Sequence, residues 1–171
     1  MLLGKDSFNH KTIIVNQDFI VRLIALGKYT EAYQLLITIT QTKKEVCSLF
    51  NLALCYYYGE IYQQTIYTLD EVLSLLTITP RNQALLPVDK DCKTILSKQN
   101  QSECYQSGIT DEYFSYFPEI VKDSILRIKV DCYLHLQQWD RVFEVGNAIR
   151  NKGYKNVNNA ILLAESKSHK N

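Results

Sequence analysis

Residues 45–76 read EVCSLFNLALCYYYGEIYQQTIYTLDEVLSLL, and the spacing of apolar residues in this stretch decides the fold class. Leu49, Leu52, Ala53 and Tyr56 recur at three- and four-residue steps, so they share one face of a helix predicted from Glu45 to Tyr58. Gly59-Glu60 breaks that period. Ile66, Leu69, Val72 and Leu73 resume it in a second helix from about Gln63 to Leu76.

The same unit recurs toward the N-terminus. Phe19, Ile20, Leu23 and Leu26 form the apolar face of a helix that starts near Ile13, and Gly27-Lys28 interrupts it. Ala32, Leu35, Leu36 and Ile39 line the next helix, from about Thr30 to Thr40, with Thr30 as its expected N-cap. Gly27 and Gly59 are 32 residues apart, and Tyr29 and Tyr62 are 33 apart. A fixed offset of this size is the mark of a helical repeat array.

Toward the C-terminus, Thr77 to Thr110 interrupts the pattern with Pro80, Pro87, Gly108 and many polar residues. A structureless loop of that length is uncommon, so a short helix is expected between Pro87 and Lys98, with Val88, Cys92, Ile95 and Leu96 on one side. Asp111 to Phe117 forms one helical turn or two. Pro118 opens a helix to about Leu136 that is apolar around much of its circumference, and it is predicted to pack on more than one side. Gln137-Gln138-Trp139 is the next break. Asp140 to Asn151 is the partner helix, Gly153 a helix terminator, and Val157 to Ala164 a last helix. The expected organisation is a tail at 1–11, one helical domain at 12–165 with an insert at about 77–110, and a polar tail at 166–171.

Composition agrees with helices. Only 6 Gly and 3 Pro occur in 171 residues, too few for an all-β chain rich in tight turns. Lys plus Arg is 19 and Asp plus Glu is 18, a formal charge of +1, which argues against non-specific nucleic-acid or membrane-surface binding. No window approaches the length of an uninterrupted apolar membrane span, and Met1 to Asp6 lacks the features of a secretory signal. Five cysteines, none at Cys-x-x-Cys spacing, are expected as free thiols in a reducing cytoplasm, although Cys92 and Cys104 share one polar connection and a bridge between them is the alternative.

These helix pairs resemble the tetratricopeptide repeat, a unit of two antiparallel helices. Leu49, Leu52, Ala53 and Tyr56 stand at its first-helix positions, Tyr62 follows the turn, and Thr65, Leu69 and Val72 follow in the second helix. The first unit offers Phe19, Ile20, Leu23, Tyr29, Ala32, Leu36 and Ile39. The third offers Val130, Tyr133, Trp139, Val142, Gly146 and Ile149, 77 residues downstream from Tyr62 to Trp139. Ile20 and Val130 depart from the pattern where it wants a small residue, and Thr65 and Val142 where it wants Ala. The resemblance implies an all-α, right-handed superhelix of stacked antiparallel helix hairpins.

Catalytic signatures are missing from the sequence: it has no phosphate-binding glycine loop, no His-Glu-x-x-His and no nucleophile elbow. His10, His135 and His169 are scattered, and no cofactor or metal site is expected. The resemblance implies instead a non-catalytic adaptor that binds another protein or a peptide on its concave, first-helix side. Carried over position by position, that side presents Asp18 and Arg22 (with Val21), then Asn51, Leu54, Tyr57 and Tyr58, then Arg127, Asp131 and His135. Asn51 also matches one place in the clamp by which some family members hold chaperone tails, but Ile14, Asp18, Ser124 and Ile128 do not match the others. Twelve tyrosines suit a recognition surface, since each offers large apolar area and a hydroxyl at low entropy cost. Tyr56, Tyr57 and Tyr58 cannot all face one core, unless the insert covers them. Two other readings stand beside the adaptor: a structural subunit of a homo- or hetero-oligomer, and a regulatory helical domain with a small-molecule pocket.

Overall fold

The structure, a computed structural model, describes residues 16–78 and 89–168. Among these residues there are nine α-helices, two short 3-10 turns and no strand. The helices are α1 (Gln17–Ala25), α2 (Tyr29–Thr42), α3 (Val46–Tyr58), α4 (Tyr62–Ile78), α5 (Lys90–Gln99), α6 (Asp111–Tyr116), α7 (Pro118–His135), α8 (Trp139–Asn147) and α9 (Lys155–Ser168). α1 packs on α2, α2 on α3 and α3 on α4; α4 then packs on α7, and α7, α8 and α9 continue the succession. In addition α1 touches α3, α3 touches α7 and α7 touches α9. Residues 1–15, with the expected tail, His10 and the helix start near Ile13, lie outside the described residues, as do Pro80, Pro87, Val88 and 169–171.

Three tight turns, α1–α2, α3–α4 and α7–α8, are built alike. Each has one residue in the left-handed region: Gly27 (φ 70), Glu60 (φ 59) and Gln137 (φ 56). In each, the N–H of the next residue closes a six-residue loop onto the helix: Lys28 to the Leu23 carbonyl (2.8 Å), Ile61 to Tyr56 (2.9 Å) and Gln138 to Tyr133 (2.9 Å). This is the Schellman termination, which satisfies carbonyls that a helix end leaves open. Tyr29, Tyr62 and Trp139 then begin the second helices. The left-handed residue of the central turn is therefore Glu60, not Gly59, which is an ordinary C-cap at φ −83. Gly27 and Glu60 are 33 residues apart, the same offset as Tyr29 and Tyr62.

Burial repeats in the same register. Ile20, Ala53 and Val130, each seven residues before the left-handed position, are all fully buried, as are Ala32, Thr65 and Val142, each three residues after the aromatic. The departures from small residues at these places still face inward; the Thr65 hydroxyl donates to the Ile61 carbonyl (3.1 Å) within its own helix, so no polar atom is stranded. Ring stacking repeats too: Tyr29 lies on Tyr58 (centroids 4.2 Å, planes 11° apart) and Tyr62 on His135 (4.5 Å, 8°). The post-turn aromatic of one hairpin thus covers the last residue of the first helix of the next.

The core forms two clusters. The larger joins α1 to α4 with Val121, Ile125, Ile128 and Cys132 of α7, and the smaller joins Val130 of α7 to α8 and α9. α7 faces both, in agreement with packing on more than one side.

Several local expectations are corrected. Phe19 and Leu26 are exposed, and Ile24 with Ile20 carries the buried face of α1. Lys28 is the N-cap residue of α2 and makes no side-chain cap bond, so Thr30 lies inside the helix. The insert helix α5 begins at Asp89, whose carboxylate accepts from the Cys92 N–H (2.7 Å), and all of its residues, Cys92, Ile95 and Leu96 included, are exposed. α8 ends at Asn147, and Arg150–Lys152 follow as a 3-10 turn that Gly153 (φ 71) terminates. α9 continues through Ser168, past the start of the expected tail. All five cysteines are free, Cys92 and Cys104 among them.

Candidate interaction site

Beyond α5 the insert takes a different course. Residues 100–110 cross the side of the molecule made by the first helices of the hairpins and by α9. At one end Lys155 N–H donates to the Asn100 carbonyl (3.2 Å), Asn100 Nδ2 to the Lys152 carbonyl (2.9 Å) and Gln101 Nε2 to the Gly153 carbonyl (3.1 Å). Over α7, Arg127 Nη2 donates to the Ser102 carbonyl (3.0 Å) and the Tyr105 hydroxyl donates to Asp131 Oδ2 (2.5 Å). Over α3, the Tyr58 hydroxyl donates to the Gln106 carbonyl (3.1 Å), and Gln106 Nε2 donates to the Tyr57 hydroxyl (3.1 Å). Gly108 then approaches Val21 and Ile24 of α1 so closely that a Cβ there would lie 3.4 Å from the Val21 Cα and 3.3 Å from the Ile24 side chain.

Asn51 fixes the far end. Its Oδ1 accepts from the Ile109 N–H (2.9 Å) and its Nδ2 donates to the Ile109 carbonyl (2.8 Å). A side-chain amide that engages both polar groups of one residue imitates a neighbouring strand, and it holds backbone whatever side chain that residue carries. Thr110 caps α6 through its hydroxyl, which accepts from the Tyr113 N–H (3.1 Å).

Under the segment lies a buried polar network. Arg127, 4% exposed, stands between the Tyr105 ring (3.8 Å to the centroid) and the Tyr154 ring (4.4 Å). Its Nε donates to Asn156 Oδ1 (2.8 Å), and Asn156 Nδ2 donates to Asp131 Oδ1 (2.9 Å). Asp123 accepts from Lys152 (2.7 Å) and from the Tyr154 hydroxyl (2.6 Å). Burial pushes the Asp131 carboxyl above the usual range, against the donors Asn156, Tyr105 and Tyr57 that favour its charge. Burial also lowers Arg127, while the facing rings and carboxylates oppose that. The Tyr57 and Tyr105 hydroxyls are raised by burial and by the Asp131 charge.

The residues expected to face a partner divide clearly. Asn51, Tyr57, Tyr58, Arg127 and Asp131 all hold the chain's own insert. Leu54, expected on the same surface, is fully buried in the core and offers none. Its helix is enclosed on nearly all sides: Cys47 through Cys55 are buried without interruption. Asp18 and Arg22 are exposed on α1 and do not reach the segment. His135 is exposed beneath Tyr62, away from it. The sequence reading missed Tyr105, Gln106, Ile109, Tyr154 and Asn156. One signal was available: Tyr105 and Ile109 stand four residues apart in an otherwise polar run.

Cavities are small. One of about 40 Å³ lies beneath the insert, lined by Tyr105, Asp123, Arg127 and Tyr154, with room for a water or two. A surface depression of about 200 Å³ lies between α5 and Gly153. Among the described residues no group of three His, Cys, Asp or Glu could hold a metal ion, and no helix is long and apolar enough to cross a membrane. Comparisons of the chain with protein-family models, with curated proteins and with solved structures gave no match.

Proposed function

We propose that this chain is a non-catalytic protein–protein interaction module, a tetratricopeptide-like right-handed stack of antiparallel helix hairpins whose first-helix side grips an extended segment of a partner. In the free protein its own residues 100–110 occupy that place, and a partner segment of like form exchanges with them. The observation that carries the reading is the two-sided clamp of Asn51 on the Ile109 backbone. The identical turns and repeated ring stacks support the repeat architecture. The five free thiols support a reducing, cytoplasmic setting.

The test uses the full chain carrying Gly108→Val. The added side chain meets Asn51, Ile24 and the Val21 backbone and disfavours the resident segment. A fluorescent peptide with the sequence of residues 99–111 should then bind saturably, as read by anisotropy, and Asn51→Ala in the same background should abolish binding. A folded Gly108→Val chain that binds no such peptide would contradict the reading.

A second reading, a subunit of an oligomer, is supported by Leu162 and Leu163, 60% and 43% exposed side by side on α9. A stable dimer in light scattering that Leu162→Glu dissociates would favour it.

A further inference from the structure

The resident segment also records which side chains the site accepts, and this inference rests on the reading above. We infer that the site selects partner segments of the pattern Tyr-x-x-Gly-aliphatic, with the tyrosine unphosphorylated.

Each fixed position has its own physical cause. Tyr105 is 6% exposed, has the Arg127 guanidinium carbon 3.8 Å from its ring centroid, and ends with its hydroxyl on Asp131. Phenylalanine keeps the first contact and loses the second. A phosphate ester at that oxygen would meet a buried carboxylate, where like charges repel in a poorly solvated setting. The next two positions are lenient. Gln106 accepts from Tyr58 through its carbonyl, which any residue supplies, while its half-buried Nε2 donates to the Tyr57 and Tyr105 hydroxyls, a preference rather than a requirement; Ser107 is exposed. Position 108 is tight: a Cβ would lie 3.3 Å from Asn51 Oδ1 and from Ile24 Cδ1, closer than most such contacts, and in ordinary contact at 3.4 Å with the Val21 Cα, so a branched side chain would have to displace Asn51 or Ile24. Ile109 is 6% exposed within the core cluster that includes Ile24, so an aliphatic side chain is required while Asn51 holds its backbone. The order along the site is fixed as well, because the tyrosine slot is on α7 and the glycine gap lies between α1 and α3.

The experiment uses the full-length Gly108→Val chain and a fluorescein-labelled peptide of sequence 99–111 with Cys104 replaced by Ser. Alanine in place of Tyr105 or Ile109 and valine in place of Gly108 in the peptide should each weaken binding by about tenfold or more, and phosphotyrosine at 105 should do the same. Alanine at Ser107 should change it by less than about twofold. Equal affinity across the series, or undiminished binding of the phosphopeptide, would overturn the pattern and leave the interaction reading intact. Failure of a folded Gly108→Val chain to bind any of the peptides would overturn both. Should circular dichroism show that Gly108→Val is unfolded, hydrogen exchange at the Ile109 amide of the unaltered chain decides instead. Excess native-sequence peptide should speed that exchange by displacing the segment, and the Gly108→Val peptide should not. Acceleration by both or by neither would overturn the inference.

Discussion

Two adjoining pieces of one insert behave in opposite ways. α5 and residues 100–110 are consecutive and both rich in polar residues, yet every residue of α5 is exposed while Tyr105 and Ile109 are 6% exposed. Helix formation does not explain the contrast, since α5 is the regular element and the pinned segment holds only one 3-10 turn. What separates them is the answering surface. α5 makes its backbone bonds within itself and needs no neighbour, whereas the irregular segment must find partners for its amides and carbonyls elsewhere. Asn51, Tyr58, Arg127 and Lys155 supply them.

Substitutions on either side of Gln99 break or sharpen this contrast. The largest effect is expected for Tyr105→Ala, which removes a buried aromatic and leaves Asp131 without its closest donor; it should lower unfolding free energy by about 3–5 kcal/mol in denaturant titration. Next comes Asn51→Ala, which strands the Ile109 N–H and carbonyl; a loss of about 1–3 kcal/mol is expected, with faster exchange at the Ile109 amide. An unchanged exchange rate would show that the clamp is dispensable.

Alkali probes the pinned piece together with the core beneath it, since α5 contains no tyrosine. Tyr57 and Tyr105 are held above the ordinary tyrosine value, and burial beside Tyr29 pushes Tyr58 up to about 12. Unfolded tyrosine ionises near pH ~10, so stability that is complete below that value is lost as pH rises toward the folded values. Cys55 and Cys132, raised to about 12 by burial, act in the same direction from about pH 9. The Tm should stay level to about pH 9 and fall beyond it, with a shallower fall in Tyr105→Phe. An equally steep fall in that variant would remove Tyr105 from the account. The smallest effect belongs to α5: Ile95→Ala, at a position 65% exposed, should stay within about 0.5 kcal/mol of the parent.

The helices were legible because apolar spacing and burial share one cause. Ala53, Ile66, Leu69 and Val72 are buried where their period places them. The turns were legible in position but not in chemistry. Glycine is the usual left-handed residue, so Gly59 drew the eye, yet the chain places Glu60 and Gln137 there at a cost of about 1 kcal/mol each. The aromatic spacing of 33 was the truer guide, because it reports packing between hairpins rather than a single dihedral angle. The candidate surface was half legible. Position along the first helices pointed to Asn51, Tyr57, Arg127 and Asp131, but nothing in their spacing says that the insert folds back onto them. That return depends on contacts between residues far apart in the chain, such as Asn51 with Ile109, 58 apart, which no local pattern records.

One rod serves both cores. Val121, Ile125, Ile128 and Cys132 of α7 belong to the first cluster and Val130 to the second, while Arg127 and Asp131 tie the same helix to the insert. Neither cluster can melt without taking from the other the wall it leans on. Helical repeat arrays often come apart piecemeal from an end. Here the shared strut should bind the halves into one cooperative transition, with calorimetric and van't Hoff enthalpies in agreement.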